Sequence, residues 1–307
     1  MCPAGTSTAL TPLLANPPAR MAHPLTPQSP APTVYAMPPI DFQHQTVLIT
    51  GASAGVGKAA AEAFHAAGAN VVLMARTEAP LRRAAEPLER AHWIAVDVAD
   101  TNAMSRAIAE SAERFGAIHG LVNNAGAHFR GPLEKRTVDE IAAMVDVNLR
   151  APLVLTRMVL PWLRKQGGFI VNVASLAGKV PLDGAATYSA TKFGLRAFTI
   201  AMAQELRGSG ITVSAVSPGP IDTGFIMDDI DEVEDIVFSQ TLCSAAHVAD
   251  MILACARDGK LEREFPVGGA KLATLGYLIP ELRRTIKPFL NAKGRRVKEQ
   301  LRKSRTP

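Results

Sequence analysis

The chain has 307 residues, of which 48% are hydrophobic and 5% aromatic, enough for the core of one large or two small domains. No apolar run approaches the ~18–20 residues that cross a bilayer, which argues against a transmembrane protein. The cysteines, Cys2, Cys243 and Cys255, have neither metal-ligand spacing nor an even count. We therefore predict no metal site, no disulfide framework and a reducing, cytoplasmic location.

The net charge of +5 is unevenly distributed. Residues 271–307 contain 11 Lys/Arg and two Glu, a local charge of +9, so residues 1–270 carry −4. The basic isoelectric point thus belongs to the C-terminal part. Nucleic-acid binding is not expected, because residues 290–307 have no aromatic side chain on which a base could stack.

Residues 1–40 contain ten of the 22 prolines, one charged side chain (Arg20) and no periodic apolar pattern. This composition is typical of a disordered leader. It lacks the apolar core of a secretory signal and the arginine content of a transit peptide. Met21 and Met37 leave the start of the chain open. We predict a folded domain over residues 41–270 and an extension over 271–307.

From Thr46 onward, short apolar runs recur: TVLIT, NVVLMA, HWIAVDV, HGLVNNAG, GFIVNVAS and ITVSAVSPG. Runs that are apolar on both faces are typical of a parallel sheet covered on both sides. Helical spacing lies between them at residues 57–67, 101–115, 137–164 and 187–207. The alternation predicts one α/β domain with a doubly wound parallel sheet.

The stretch VLITGASAGVGKAAAEAF joins the first predicted strand to a helix and carries Gly51, Gly55 and Gly57. Glycines allow the backbone to approach a pyrophosphate, and the helix N-terminus offers free N–H groups and a positive dipole end. Any tight βα turn can use three glycines, so both readings stay open here. The position at the start of the domain favours dinucleotide binding.

Tyr188 and Lys192, in YSATK, lie four residues apart and hence on one face of a helix. A positive charge about 4 Å from a phenol is worth roughly 4 kcal/mol at an effective dielectric of 20, or about three pKa units. The spacing predicts that Lys192 lowers the pKa of Tyr188 toward the physiological range, where it can exchange a proton. A surface pair is the alternative. Ser175 ends another predicted strand, at the sheet edge where ligands bind.

Seven fragments occur in one order: TGASAGVG at 50–57, DV at 97–98, NNAG at 123–126, VNL at 147–149, Ser175, YSATK at 188–192 and PGPIDT at 218–223. Each fragment alone is weak. Together they resemble the compact branch of the short-chain dehydrogenase/reductase family, and the resemblance covers about residues 42–270. It implies a Rossmann-type fold, nicotinamide chemistry on a small carbonyl/alcohol substrate, and a homodimer or homotetramer.

The resemblance also implies roles for single residues. Tyr188 corresponds to the acid/base, and Ser175 to the group that stabilises the substrate oxygen. Lys192 corresponds to the ribose ligand and to the electrostatic partner of Tyr188, whose pKa it is expected to lower with the help of the cationic ring of the oxidised cofactor. Asn148 corresponds to a residue that kinks its helix and holds a water leading to the lysine. A loop serine and an ordinary mid-helix asparagine are the alternatives. The implied cofactor contacts are Gly51, Ser53, Ala54, Gly55, Val56, Gly57, Asp97, Val98, Asn124, Ala125, Gly126, Tyr188, Lys192, Pro218, Gly219, Ile221 and Thr223.

The residue after the second predicted strand bears on cofactor choice. NAD enzymes place Asp or Glu there to hold the ribose 2′-OH. This chain has Ala75 and then Arg76, and a guanidinium binds a 2′-phosphate with a charge-assisted fork. We therefore predict NADP(H) rather than NAD(H). Glu78 nearby, and Ala54 in place of a basic residue in the glycine turn, speak against it.

Two regions lie outside the common core. Residues 221–240 carry seven acidic and no basic residues; in the family this segment is the mobile substrate lid, and an acidic lid predicts poor binding of anionic substrates. A solvated helix face is the alternative. Apolar residues of the extension recur at threes and fours, and Pro280 and Pro288 are predicted to divide it into short helical pieces.

For the extension, we expect residues 271–290 to pack on the domain and 291–307 to form a loose solvated end. Pocket cover, a subunit contact and weak contact with an anionic membrane at its inner face are all open. His128, Phe129, Leu182 and Phe225 are candidate pocket walls. The alternatives to an enzyme are a dinucleotide-binding sensor or scaffold without turnover, and a peripheral membrane protein whose tail sets its role.

Overall fold

The computed structural model describes residues 40–228 and 230–305. The predicted disordered leader therefore lies, apart from Ile40, outside the described residues. Within them the chain forms a seven-stranded parallel sheet in the order β3-β2-β1-β4-β5-β6-β7. The strands are β1 Thr46–Thr50, β2 Asn70–Ala75, β3 Ala91–Ala95, β4 Gly120–Asn123, β5 Gly168–Val173, β6 Ile211–Pro218 and β7 Glu262–Phe265. This architecture confirms the predicted doubly wound α/β fold.

Helices connect the strands and cover both faces of the sheet. They are α1 Gly55–Ala66, α2 Glu78–Ala85, α3 Thr101–Phe115, α4 Val138–Val145, α5 Ala151–Gln166, α6 Ala186–Glu205, α7 Gly224–Met227, α8 Ala245–Asp258, α9 Val267–Leu278 and α10 Pro280–Arg305. A π-helical segment, Asp146–Arg150, joins α4 to α5. Side chains cap several of these helices: Asp100 accepts from the Ala103 N–H at 2.9 Å, and Thr137 and Glu140 form a capping box.

Alternation along the strands divides the core into two apolar clusters, one on each face. In β1, Val47 and Ile49 join the cluster with α1, α2 and α8, whereas Leu48 joins the cluster with α3 and α5. All three side chains are fully buried. Burial on both sides explains why the strands consist of continuous apolar runs.

The order of the strands places a cleft at the end of β1. Successive strands run from β1 outward to β3 in one direction and from β4 to β7 in the other, so the connections diverge between β1 and β4. Open α/β sheets bind ligands in the crevice at the carboxyl ends of such strands. Thr50 and Asn123 end β1 and β4 at this point.

Strand β7 was not predicted from the sequence, because most of its residues are charged. It reads Glu262-Arg263-Glu264-Phe265 and pairs in parallel with the edge of β6. The Glu262 carboxylate accepts from Arg196 at 2.9 Å, from the Ser217 hydroxyl at 2.8 Å and from Lys179 at 3.0 Å. These bonds hold the pKa of Glu262 below its usual value despite burial, which raises it. Partners distant in sequence therefore allow a charged strand to pack.

The C-terminal extension differs from its prediction. The chain does break before Pro280, where α10 begins, but Pro288 lies inside α10 and does not end it. A proline in a helix interior removes one hydrogen bond at a cost of ~3 kcal/mol. Tertiary contacts compensate, since Val297 and Leu301 of α10 pack against the apolar cluster of residues 221–240, the acidic segment.

The predicted solvated end of residues 291–307 is also wrong for the part that the structure describes. Lys298 is 7% exposed and donates to the carbonyl oxygens of Val233 at 2.7 Å and Asp231 at 3.2 Å. Arg295 lies 3.1 Å from the Asp235 carboxylate. The acidic segment and the basic helix thus neutralise one another, so the acidic segment is not simply a solvated face. No helix among the described residues has the length and apolar character needed to span a bilayer.

We expect Lys298→Ala to lower the free energy of unfolding by about 1–3 kcal/mol, because it leaves the Val233 carbonyl oxygen buried without its donor. Arg284→Ala is the matched control: Arg284 lies on the same helix, is 78% exposed and, within the described part of the chain, pairs with Glu281 one turn away. Its effect should stay within about 0.5 kcal/mol. Urea unfolding of both variants checks this, and equal effects would show that α10 does not hold the acidic segment.

Candidate active site

A cavity of about 680 Å³ opens at the carboxyl ends of the strands. It is lined by the glycine turn after β1, by the residues after β4 and β5, and by Tyr188 and Lys192 of α6. Of the predicted site residues, all but two line it. Asn148 and Gly57 do not, and each of them instead supports residues that do. The structure therefore brings the sequence motifs together around one space.

The glycine turn fits a dinucleotide pyrophosphate. Gly51 and Gly55 have φ of +65° and +54°, values that favour glycine. A Cβ on Gly51 would lie 2.9 Å from the Ala125 Cα, and a Cβ on Gly57 would overlap the Gly51 carbonyl oxygen. The turn leads into the N-terminus of α1, where no side chain caps the first N–H groups. These groups remain available for an anion.

The NNAG segment braces this turn. The Asn124 side chain donates to the carbonyl oxygens of Thr50 at 2.9 Å and Gly51 at 3.2 Å. In return, the Thr50 hydroxyl accepts from the backbone N–H groups of Asn124 and Ala125, each at 3.0 Å. The side chain of Asn124, a predicted cofactor residue, is thus hydrogen-bonded to the turn and stabilises its shape.

Ser175 and Tyr188 lie together in the cavity. Ser175 follows β5 and caps a short 3₁₀ turn, where its hydroxyl accepts from the Ala177 N–H at 3.1 Å. Burial of the Tyr188 phenol raises its pKa above the ordinary value. The Ser175 hydroxyl and the charge of Arg130 act in the opposite direction. The protein groups therefore favour a protonated phenol, and the predicted lowering by Lys192 alone is not what the structure gives.

Lys192 explains this difference. Its ammonium donates to the Val173 carbonyl oxygen at 2.8 Å and lies 5.8 Å from the centre of the Tyr188 ring. The side chain is 5% exposed, and burial lowers its pKa to about 8. The ammonium is thus bonded to the backbone, and burial is the largest influence on the pKa of Tyr188.

His128 and Arg130 form a second charged group beside the tyrosine. The His128 ring stacks on Tyr188 with 4.0 Å between ring centres and 12° between planes. Burial, followed by the charges of Arg130 and Lys192, lowers the pKa of His128 to about 3. Arg130 donates to His128 Nδ1 at 2.9 Å and to the Phe225 carbonyl oxygen at 2.7 Å. The imidazole is therefore neutral at physiological pH.

Sequence reasoning named His128 only as a pocket wall and did not identify Arg130. Arg130 is 8% exposed and follows the NNAG motif by four residues, outside any fragment that carried the resemblance. A charged residue so close to a cofactor motif is the one signal that could have drawn attention to it.

Asn148 lies in the π-helical segment, 1% exposed, where its wider turn interrupts the α4–α5 helix at the predicted position. Its Oδ1 accepts from the Ala127 N–H and its Nδ2 donates to the Ala127 carbonyl oxygen, both at 2.8 Å. Asn148 thereby fixes the strand-end residues that follow NNAG. That it holds a water leading to Lys192 stays a prediction.

The extension supplies one wall of the same cavity. Its contribution consists of residues from α9 and α10, namely Gly269, Leu272, Ala273, Gly276, Arg283, Ile286, Lys287 and Leu290. At the opposite, cofactor end the cavity reaches Arg76, Asp97 and Val98. Arg76 is exposed at this end of the cavity. The described residues contain no cluster of side chains that could hold a metal ion.

Comparison with known proteins agrees with this geometry. The short chain dehydrogenase family pattern matches residues 45–234. Ketoacyl reductase HetN of Nostoc is 38% identical over 190 residues, covering 60% of this chain and 66% of the relative. Serine 3-dehydrogenase of Agrobacterium fabrum is 37% identical over 184 residues, covering 59% and 74%. Dehydrogenase/reductase SDR family member 7B of the rat is 33% identical over 200 residues, covering 62% of each chain.

The chain thus spans somewhat less than two thirds of HetN and of the rat protein. The matched region contains the glycine turn, the Asn148 segment, Ser175, Tyr188 and Lys192, whereas α9 and α10 lie beyond the family pattern. With more than half of its length in the pattern and the motifs assembled around one cavity, the chain belongs to the short-chain dehydrogenase/reductase family.

Proposed function

We propose that the protein is an NADP(H)-dependent oxidoreductase that interconverts a carbonyl group and an alcohol. The observation that carries the proposal is the convergence of Ser175, Tyr188 and Lys192 on the cavity that also contains the glycine turn. A dinucleotide held by that turn supplies or accepts the hydride. The residues of the chain then need to move one proton and bind one oxygen.

Tyr188 gives its phenolic proton to the substrate oxygen in reduction and takes it back in oxidation. Because the protein groups keep the phenol protonated, it is in the form that donates a proton during reduction at neutral pH. Ser175 orients the substrate oxygen and stabilises the charge that develops on it. Lys192, fixed by the Val173 carbonyl oxygen, supplies a positive charge below the site and a ligand for the ribose.

Further predictions extend this proposal to the cofactor contacts, the assembly and the location of the protein. The remaining predicted cofactor residues line the cleft and would hold the dinucleotide, with Arg76 at the 2′-phosphate. Assembly as a homodimer or homotetramer follows from the family resemblance, and a cytoplasmic location follows from the cysteine pattern. A membrane-surface contact is a second proposal, favoured by the exposed Leu278 and Phe289, which are 69% and 73% exposed beside the basic residues of α10.

The function is tested by following NADPH oxidation by the full chain with aliphatic, aromatic, steroid and sugar carbonyls, using Tyr188→Phe as the blank. Turnover of at least one carbonyl above that blank supports the proposal. Tight NADPH binding without turnover of any of them would favour a dinucleotide-binding sensor instead.

Arg76→Ala is expected to weaken NADPH binding by about 1.5–3 kcal/mol, the usual size of a hydrogen bond to a charged group, and to leave NADH binding unchanged. The 2′-phosphate is the only group that distinguishes the two cofactors. Arg82→Ala is the control. Arg82 lies in α2, six residues after Arg76, and does not line the cavity. Fluorescence titration with both cofactors measures this. Equal weakening of NADPH and NADH would exclude Arg76 as the phosphate ligand.

A further inference from the structure

Beyond Tyr188 the cavity continues into an apolar compartment. Its walls come from α9, α10 and the acidic segment, and its apolar members are Leu182, Phe225, Ile226, Ile236, Val237, Leu272, Ala273, Ile286 and Leu290. The members from α9 and α10 lie outside the family pattern. This wall is therefore a feature of this chain rather than of the family core.

Charged groups at the compartment are largely neutralised by one another. Arg283 donates to the Pro181 carbonyl oxygen at 2.6 Å and lies 3.3 Å from the Asp183 carboxylate, and Lys287 pairs with the same carboxylate. The Asp228 carboxylate also lines the cavity and is exposed. The two cations and the two carboxylates balance one another in charge, so this wall offers no excess positive charge to an anionic substrate.

The compartment has fixed walls. α10 is joined to the acidic segment by Lys298 and Arg295 and to the loop before α6 by Arg283 and Lys287. Helix α10 thus spans from one side of the cavity mouth to the other. Walls held from both sides allow the protein to discriminate between substrates by the length of their apolar part. A preformed apolar pocket binds a substrate more tightly with each carbon that it buries.

We propose that the substrate is an uncharged ketone or secondary alcohol with an elongated apolar part, which lies between the acidic segment and α9–α10. This inference rests on the proposed reaction at Tyr188, which places the oxygen at one end of the compartment. A buried methylene is worth about 0.8 kcal/mol, which corresponds to roughly fourfold in kcat/KM. The extension therefore selects the substrate by its apolar length.

The first test uses the full-length protein, NADPH and unbranched 2-ketones of increasing chain length. We expect kcat/KM to rise roughly threefold to fourfold per added methylene over several members and then to level off. A ketone of the same length that ends in a carboxylate should react at least about tenfold less efficiently. Reduction of short ketones with no dependence on length would overturn this inference alone, and so would a preference for the carboxylate.

A protein that binds NADPH and reduces no ketone of any length would instead overturn the proposed function. The two failures are therefore distinguishable in one experiment.

The second test compares neighbouring residues of α10. Leu290 lines the compartment, whereas Phe289 is 73% exposed and does not. Leu290→Asn should reduce kcat/KM for the longest ketones by about tenfold or more and leave the shortest ones nearly unchanged. Phe289→Asn should change neither. Equal loss for short and long ketones in Leu290→Asn would overturn the assignment of this wall.

Gly276→Ala provides a variant that should fold even if Leu290→Asn does not. A Cβ at Gly276 would lie 3.6 Å from the Arg283 Cβ, an ordinary contact, and alanine favours a helix over glycine. Because Gly276 lines the compartment, the added methyl should shorten the chain length at which kcat/KM levels off. An unchanged length profile in a stably folded Gly276→Ala protein contradicts the proposal.

Discussion

Tyr188→Phe is expected to lower turnover by about 100-fold or more while NADPH binding is retained. The substitution keeps the ring, and hence its stacking on His128, but removes the proton that the substrate oxygen receives. The matched control is Tyr277→Phe, because Tyr277 lies on α9, is 54% exposed and contacts Phe193. Steady-state kinetics and a fluorescence titration of NADPH give both quantities.

The pH dependence of turnover provides a second test of the role of Tyr188. Burial raises the pKa of Tyr188, so the phenol is protonated at neutral pH. Reduction should then proceed at neutral pH and fall as the pH rises through that pKa, whereas oxidation should accelerate over the same range. Turnover of Tyr188→Phe at the wild-type rate would remove Tyr188 from the mechanism.

Lys192→Met is expected to abolish most of the activity and, at the same time, to stabilise the cofactor-free protein at pH 7. The pKa of Lys192 is about 8 in the folded protein, compared with an ordinary value of 10.5. Below pH 8 the protonated amine is buried at a cost on the order of 3 kcal/mol. Loss of the bond to the Val173 carbonyl oxygen offsets part of this, so a net gain of about 1–3 kcal/mol remains.

The pH dependence gives the sign of this effect. Between pH 8 and 10.5 the unfolded chain binds more protons at this group than the folded chain, so the wild-type stability rises with pH. The advantage of Lys192→Met should therefore shrink as the pH approaches 10. Urea unfolding at pH 7 and pH 10 measures it.

Lys179→Met is the control for Lys192→Met, because Lys179 is similarly buried at 8% exposure but pairs with Glu262 and Glu264. Its removal breaks the ion pair with Glu264 and takes one of three donors from the buried Glu262 carboxylate, which should destabilise the fold. If Lys192→Met destabilised the protein as Lys179→Met does, Lys192 would not carry a buried charge at a cost.

The fold and the position of the site could be predicted because their signals are local. Each strand is a continuous apolar run, and each motif follows the end of a strand, so a parallel sheet brings the motifs to one edge. The spacing of Tyr188 and Lys192 correctly placed them in the same helix. It could not reveal that the Lys192 ammonium bonds to Val173 or that burial would dominate the pKa of Tyr188.

What the sequence did not reveal depends on distant partners. The charged strand β7 is acceptable only because Lys179 and Arg196 meet Glu262. Likewise, α10 continues through Pro288 because its later turns pack on the acidic segment. The opposite charges of residues 221–240 and 271–307 were visible in the sequence, and pairing them would have predicted this contact.

The position of α10 in the chain has a consequence for biosynthesis. The last residue that we propose to contact the cofactor is Thr223, whereas the apolar wall that we assign to substrate selection includes Ile286 and Leu290. At about 5–20 residues per second, a ribosome needs seconds to make the intervening segment. The residues that we propose to bind the nucleotide are therefore synthesised before those that we propose to select the substrate.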